Sequence, residues 1–241
     1  MIPKKIHYCW LSDDEMPEKL KKCIDSWKRI LPDYEIIKWD LKRFPLDKSI
    51  WVKQAFECKK YAFAADYIRL YALSTEGGIY LDSDVEVIKS YNDLLSLPYF
   101  ICEENSPEGI EAATIGVDLD CEWIKRCFEQ YERRAFIDED GRMDTKVLPV
   151  VLESIIRKNY ELVKVEKPSS IVIDNKRVFM LPYDYFSPKN YTTKKIKLTE
   201  HTYSIHHFAG SWQPAWKKVL LYFWVPFKTM FPSLAKAIHS L

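Results

Sequence analysis

The run Gly77-Gly78-Ile79-Tyr80-Leu81-Asp82-Ser83-Asp84 constrains this chain more than any other segment. Either glycine can adopt the left-handed backbone that ends a helix, so the pair releases whatever helix precedes it. Three apolar residues then carry the chain inward as a short strand, and two carboxylates stand one residue apart at its exit. In an open α/β sheet, ligands gather beyond the carboxyl ends of strands, which is where Asp82 and Asp84 fall. Side chains two apart on an extended segment share a face. Carboxylates held that close repel each other unless a proton or a divalent cation intervenes. Hard oxygen ligands with no thiol beside them suit Mn²⁺ or Mg²⁺, ions that keep open positions for substrate phosphates. Read alone, the Asp-Ser-Asp run is better explained as a solvated turn, since short acidic turns are common at strand ends.

The residues upstream weigh against the solvated turn. From Gln54 to Glu76 apolar residues recur at helical spacing, with Ala62, Ala65, Ile68, Ala72 and Leu73 on one side, which predicts one long, mostly buried helix. Asp66 and Arg69 lie three apart on it, on one face and one turn. The helix runs directly into the acidic strand, so both charge sets converge on one pocket and Arg69 is available to grip phosphate or sugar hydroxyls. An ordinary intrahelical ion pair is the plain alternative.

Taken together, Asp66-Tyr67-Ile68-Arg69 and the run from Gly77 to Asp84 resemble the core signature of sugar transferases with a DXD motif, glycosyltransferase family 32 in particular, and are similar to the catalytic domain of glucosylating toxins. The opening Ile2-Pro3-Lys4-Lys5-Ile6-His7-Tyr8-Cys9-Trp10 resembles that family's first strand. The resemblance implies a GT-A fold, a nucleotide-sugar donor such as a UDP-sugar, a divalent metal, and retention of anomeric configuration. It implies that Trp10 stacks on the nucleotide base, the alternative being a core Trp at a strand end. Near the other end, His207-Phe208-Ala209-Gly210-Ser211-Trp212 resembles the run that completes the metal shell and holds the leaving phosphate, with His207 in the ligand position and His206 a structural neighbour. Imidazole suits Mn²⁺ better than Mg²⁺. The implied metal set is thus Asp82, Asp84 and His207. The nucleotide-sugar set adds Trp10, Asp66, Arg69, Tyr80, Ser83, Ser211 and Trp212, and catalysis falls to Asp66, Arg69, Asp84 and Trp212. Where relatives carry an Asn that contacts the sugar, this chain reads Glu111-Ala112-Ala113-Thr114-Ile115-Gly116, which leaves the donor sugar open. Asp144 is either an acceptor-side residue or the N-cap of a helix from Thr145 to Asn159.

The rest of the chain fits one α/β domain over 1–215. At 241 residues, 47% hydrophobic and 15% aromatic, it has ample material for a core. Met16 to Leu31 reads as a helix, Glu35 to Trp39 as a strand, and Ile171 to Leu181 as a later strand or hairpin, an alternation that predicts a mostly parallel, Rossmann-like sheet flanked by helices. Six cysteines form no C-x-x-C pair, and packed, reduced thiols are expected. Residues Met1 to Lys5 enter a strand at once, leaving no room for a signal or anchor, so the expected location is cytoplasmic and peripheral on the inner face of the cell membrane. Segment 216–241 combines Lys217, Lys218, Lys228 and Lys236 with Trp216, Trp224, Phe227 and Phe231, and no acidic residue follows Glu200. Its apolar run from Val219 to Phe227 is too short to span a bilayer, whereas lysines among aromatics suit an amphipathic segment lying on anionic headgroups. Packing on the domain, or a dimer contact, is the alternative. A net charge of +1 without a large basic patch argues against nucleic acid.

The expected function is therefore transfer of a sugar from a nucleotide sugar to a glycan or lipid-linked acceptor in cell-surface or capsular polysaccharide synthesis. The rival readings are a non-catalytic, Ca²⁺-dependent sugar-binding module and a membrane-associated scaffold.

Overall fold

Strand β1 (Lys5–Cys9) leads through helix α1 (Glu18–Ile30) to β2 (Glu35–Trp39), which pairs with β1 in parallel. Helices α2 (Ile50–Glu57) and α3 (Tyr61–Glu76) then return the chain to β3 (Gly78–Leu81), parallel to β1 on its other side. Winding outward to β2 and back to β3 makes a switch point between β1 and β3, and the crevice beyond their carboxyl ends is where such sheets bind ligands. Strands β5 (Tyr99–Phe100) and β6 (Thr114–Val117) complete a five-stranded sheet ordered β2-β1-β3-β6-β5, in which only β6 runs against its neighbours. The fold is α/β with a mostly parallel sheet flanked by helices, as the strand and helix alternation predicts. The computed structural model describes residues 1–106 and 109–210.

The expected long helix from Gln54 to Glu76 is two helices. Lys59 takes a left-handed conformation at φ 56°. Its N–H bonds to Phe56 O at 2.8 Å and the Lys60 N–H to Ala55 O at 2.8 Å, the paired bonds that close α2 before α3 begins. Helical periodicity carries across such a break, which is why the sequence reads as continuous. Helix α4 (Glu122–Glu132) packs against α3, and α5 (Leu148–Asn159) follows. The Ile171 to Leu181 region yields β8 (Arg177–Met180), which pairs in parallel with β7 (Glu161–Lys164) and so is no hairpin. Asp144 does not cap α5. The helix starts after Val147, while the Asp144 carboxylate accepts from Arg134 Nη2.

The joint between α3 and β3 shows why two glycines stand there. Gly77 and Gly78 have φ of 61° and 95°, and a Cβ on Gly78 would sit 2.9 Å from Lys5 O. His7, buried in β1, donates from Nε2 to Gly77 O at 2.8 Å and accepts at Nδ1 from Trp39 Nε1 at 3.1 Å, a pairing that fixes the neutral tautomer.

Beyond β3 the chain enters a small antiparallel ladder of β4 (Val85–Val87) and β9 (Ser204–His206). Helix α1 holds it in place, because Trp27 Nε1 donates to Val85 O at 2.7 Å and Ser26 Oγ accepts from Val87 N at 2.9 Å. All six cysteines are free thiols, as expected. Among the described residues no helix is long and apolar enough to cross a membrane. The domain boundary expected at 215/216, the segment 216–241, and the site residues Ser211 and Trp212 lie outside the described residues.

Candidate functional site

Asp82 to Val85 form a β-turn closed by the Val85 N–H on Asp82 O at 2.9 Å, and the Asp82 N–H donates to Ala113 O at 2.9 Å. The two carboxylates are therefore brought together by a turn held through its main chain, rather than by strand extension. Ser83 is half-buried within that turn. A ligand atom from each of Asp82, Asp84 and His206 falls within 4.8 Å of the others. The sequence expectation places His207 third; in the structure it is His206 that stands with the two carboxylates. Neighbouring residues leave a strand on opposite faces. At the end of β9 this turns His206 toward the carboxylates, with Nε2 at 3.5 Å from Asp84 Oδ1, and sends His207 to Glu86 Oε2 at 2.8 Å.

Behind His206 lies Glu111, which is fully buried. Its carboxylate accepts from the Ala113 N–H at 2.8 Å and the Thr114 N–H at 2.9 Å, and Oε1 lies 3.1 Å from His206 Nδ1. Burial works against charge on His206, yet Asp84 and Glu111 outweigh it and raise its pKa to about 9. Burial, reinforced by Glu111, lifts Glu104 to about 7. Neither Glu111 nor Glu104 was anticipated as a site residue. The available signal was a lone acid in the apolar stretch from Ile110 to Val117, since a buried carboxylate requires partners.

Arg69 occupies the inner side of the turn, 5% exposed. Its Nη2 donates to Asp82 Oδ1 at 2.7 Å, its Nη1 donates to Ala112 O, and its guanidinium lies 4.3 Å from the Tyr80 ring centroid. Asp66 sits one helical turn back with Oδ1 at 3.5 Å from Arg69 Nη2. Burial raises Asp66 to about 7 against the pull of Arg69. Burial raises Asp82 as well, opposed by Arg69 and reinforced by Asp84. Tyr80, a residue of the expected nucleotide-sugar set, is buried, with its ring beside the Arg69 guanidinium. Trp10 is half-buried at the carboxyl end of β1, its Nε1 donating to Asp14 O at 3.2 Å. The structure thus gathers Asp66, Arg69, Asp82 and Asp84 as the sequence predicts, and adds His206 and Glu111.

The donor set fits a divalent cation. Five carboxylates (Asp66, Asp82, Asp84, Glu104 and Glu111) act on one another in this region, opposed by the positive charges of Arg69, Arg134 and His206. Two carboxylate oxygens with one imidazole nitrogen suit Mn²⁺, and Mg²⁺ less well.

Residues 17–101 match the family described as the glycosyltransferase sugar-binding region containing a DXD motif. The inositol phosphoceramide mannosyltransferase 3 of Schizosaccharomyces pombe is 34% identical over 123 residues, 48% of this chain and 33% of that protein. The mannosyl phosphorylinositol ceramide synthase SUR1 of Saccharomyces cerevisiae is 30% identical over 199 residues, 78% of this chain and 50% of that protein. The chain spans half or less of the length of these relatives. Among solved structures, the PaToxG glycosyltransferase is similar with a TM-score of 0.48 and 21% identity, over 65% of this chain and 69% of that one. Residues 17–101, which contain the acidic turn and the Asp66/Arg69 pair, are thus similar to the glycosyltransferase sugar-binding regions that carry a DXD motif.

Proposed function

We propose that this chain is a metal-dependent, retaining glycosyltransferase that moves a hexosyl group from a nucleotide sugar to a glycan or lipid-linked acceptor. The observation that carries this reading is the convergence of Asp82, Asp84 and His206 within 4.8 Å beside a buried guanidinium, at the switch point of the sheet. Asp82, Asp84 and His206 would hold Mn²⁺ or Mg²⁺, and a cation so placed neutralises a diphosphate and stabilises it as a leaving group. Arg69, fixed on three sides by Asp82, Ala112 O and Tyr80, offers its positive charge where negative charge develops. Asp66, with a pKa near 7, accepts hydrogen bonds from sugar hydroxyls and orients Arg69. Retention by attack from the face of departure needs no protein nucleophile, and none is assigned.

The proposed donor is a UDP-sugar, and the mannosyl names of the relatives make GDP-mannose the second to test. Capsule or cell-surface polysaccharide synthesis at the cytoplasmic face of a membrane, with 216–241 on anionic lipid, completes the reading. The test is a donor screen with Mn²⁺, following release of nucleoside diphosphate with and without chelator. Turnover of one donor that is lost with chelator and in Asp84→Ala supports it. Glycan binding with no Mn²⁺-dependent affinity for any nucleoside diphosphate would instead identify a sugar-binding module.

A further inference from the structure

Three buried polar atoms cluster beside the site without a partner: Arg69 Nε, Tyr131 Oη and Arg134 Nη1. Buried polar groups are almost always satisfied, so a cluster of orphans marks a place that something polar occupies. These three share one neighbour. Asp66 Oδ1 is 3.5 Å from the Arg69 guanidinium, and Asp66 is the charge that acts most strongly on the Tyr131 phenol. Arg134 in turn acts on both Asp66 and Tyr131.

Arg134 is held rigidly. Its guanidinium lies 4.6 Å from the Trp51 ring centroid and 4.5 Å from that of Tyr131, and its Nη2 donates to Asp144. Two aromatic faces and one carboxylate leave Nη1 as the donor not yet used. Tyr131 is fully buried at the end of α4, so its hydroxyl cannot turn to bulk water. Asp144, which accepts from Arg134, also lines an open cleft of about 460 Å³ with Ala135, Asp138, Arg142 and Lys146.

A sugar hydroxyl accepts two hydrogen bonds and donates one. Arg134 Nη1–H and Tyr131 Oη–H supply the two donors, and the Asp66 carboxylate takes the one proton. We propose that Asp66, Tyr131 and Arg134 form a recognition pocket for one hydroxyl of the transferred sugar, with Tyr131 and Arg134 as specificity-determining residues. This inference rests on the glycosyltransferase reading and names the part of the site that selects the sugar. Nothing in the spacing of the sequence announces it, because Asp66 on α3 and Arg134 beyond α4 meet only through packing of those helices.

The test uses the full chain with Mn²⁺. Tyr131→Phe removes only the orphan hydroxyl, and Arg134→Lys keeps the charge but loses the planar fork. Binding of UDP and GDP is followed by calorimetry. Values of kcat/KM are measured for UDP-glucose, UDP-galactose and GDP-mannose, and denaturant melts verify folding. The expected result is nucleoside diphosphate affinity within about twofold of wild type for Tyr131→Phe, with kcat/KM for the preferred sugar lowered ~10- to 100-fold and its preference over the other sugars reduced. Arg134→Lys should flatten the same preference. If both variants fold and leave the ratios of kcat/KM unchanged, the pocket holds water alone and the inference is overturned. Absence of Mn²⁺-dependent nucleotide binding in the wild type would sink the glycosyltransferase reading first, and this inference with it.

Discussion

Trp27 Nε1 donates to Val85 O at 2.7 Å, so a helix on one side of the sheet fixes the strand that leaves the acidic turn. Both groups are buried, and the carbonyl has no route to water. Trp27→Phe therefore orphans that carbonyl and trims the core. A loss of about 1–3 kcal/mol in unfolding free energy is expected from the hydrogen bond alone, measured by urea titration. An unchanged midpoint would mean that α1 does not anchor β4.

His206 and His207 are adjacent but face different partners, so their alanine variants separate. His206→Ala should weaken Mn²⁺-dependent nucleoside diphosphate binding tenfold or more, a change of about 1.4 kcal/mol. His207→Ala, which loses only a pair with half-exposed Glu86, should stay within about twofold. Calorimetry in Mn²⁺ decides, and the reverse ranking would restore His207 as the ligand.

Arg69→Lys is not a conservative change here. A single ammonium cannot serve Ala112 O and Asp82 together while lying over Tyr80. One buried acceptor is then left bare, and kcat/KM with the preferred nucleotide sugar should fall on the order of 100-fold, alongside about 1–3 kcal/mol of stability. Steady-state kinetics and melts on the same preparation measure both.

His7 makes stability depend on pH in a defined direction. Burial holds its pKa below the ordinary value, so the unfolded chain binds the proton more readily than the folded one. Stability from this group is complete above about 6.5 and is lost as pH falls toward the depressed folded value. Guanidinium melts of wild type and His7→Gln at pH 7.5 and pH 5 should show the wild-type advantage shrinking on acidification. A gap that widens at pH 5 would reverse the assignment.

The parts of this molecule that were legible in the sequence are those carried by short, local patterns. The glycines at 77 and 78 mark the α3–β3 joint, the periodicity of Leu20, Cys23, Ile24 and Trp27 marks α1, and Asp66 with Arg69 shares one helical face, so each depends only on neighbours along the chain. What stayed hidden depends on how distant segments meet. Selecting His206 over His207 requires knowing the register of β9 on β4, and a one-residue shift of register exchanges the two faces. Glu111 gains its role only once β6 lies beside β3. The break at Lys59 was masked because the apolar stripe continues through it.

The β4–β9 ladder has a consequence for how the protein is made. Val85 pairs with His206, so this imidazole joins the acidic turn only after nearly all of the described chain has left the ribosome. Until then the nascent polypeptide presents its two aspartates without their imidazole, and contacts so far apart in sequence form late because their loop-closure entropy must be met first. Assembly of the Asp82, Asp84 and His206 cluster is thus a property of the completed domain rather than of the growing chain.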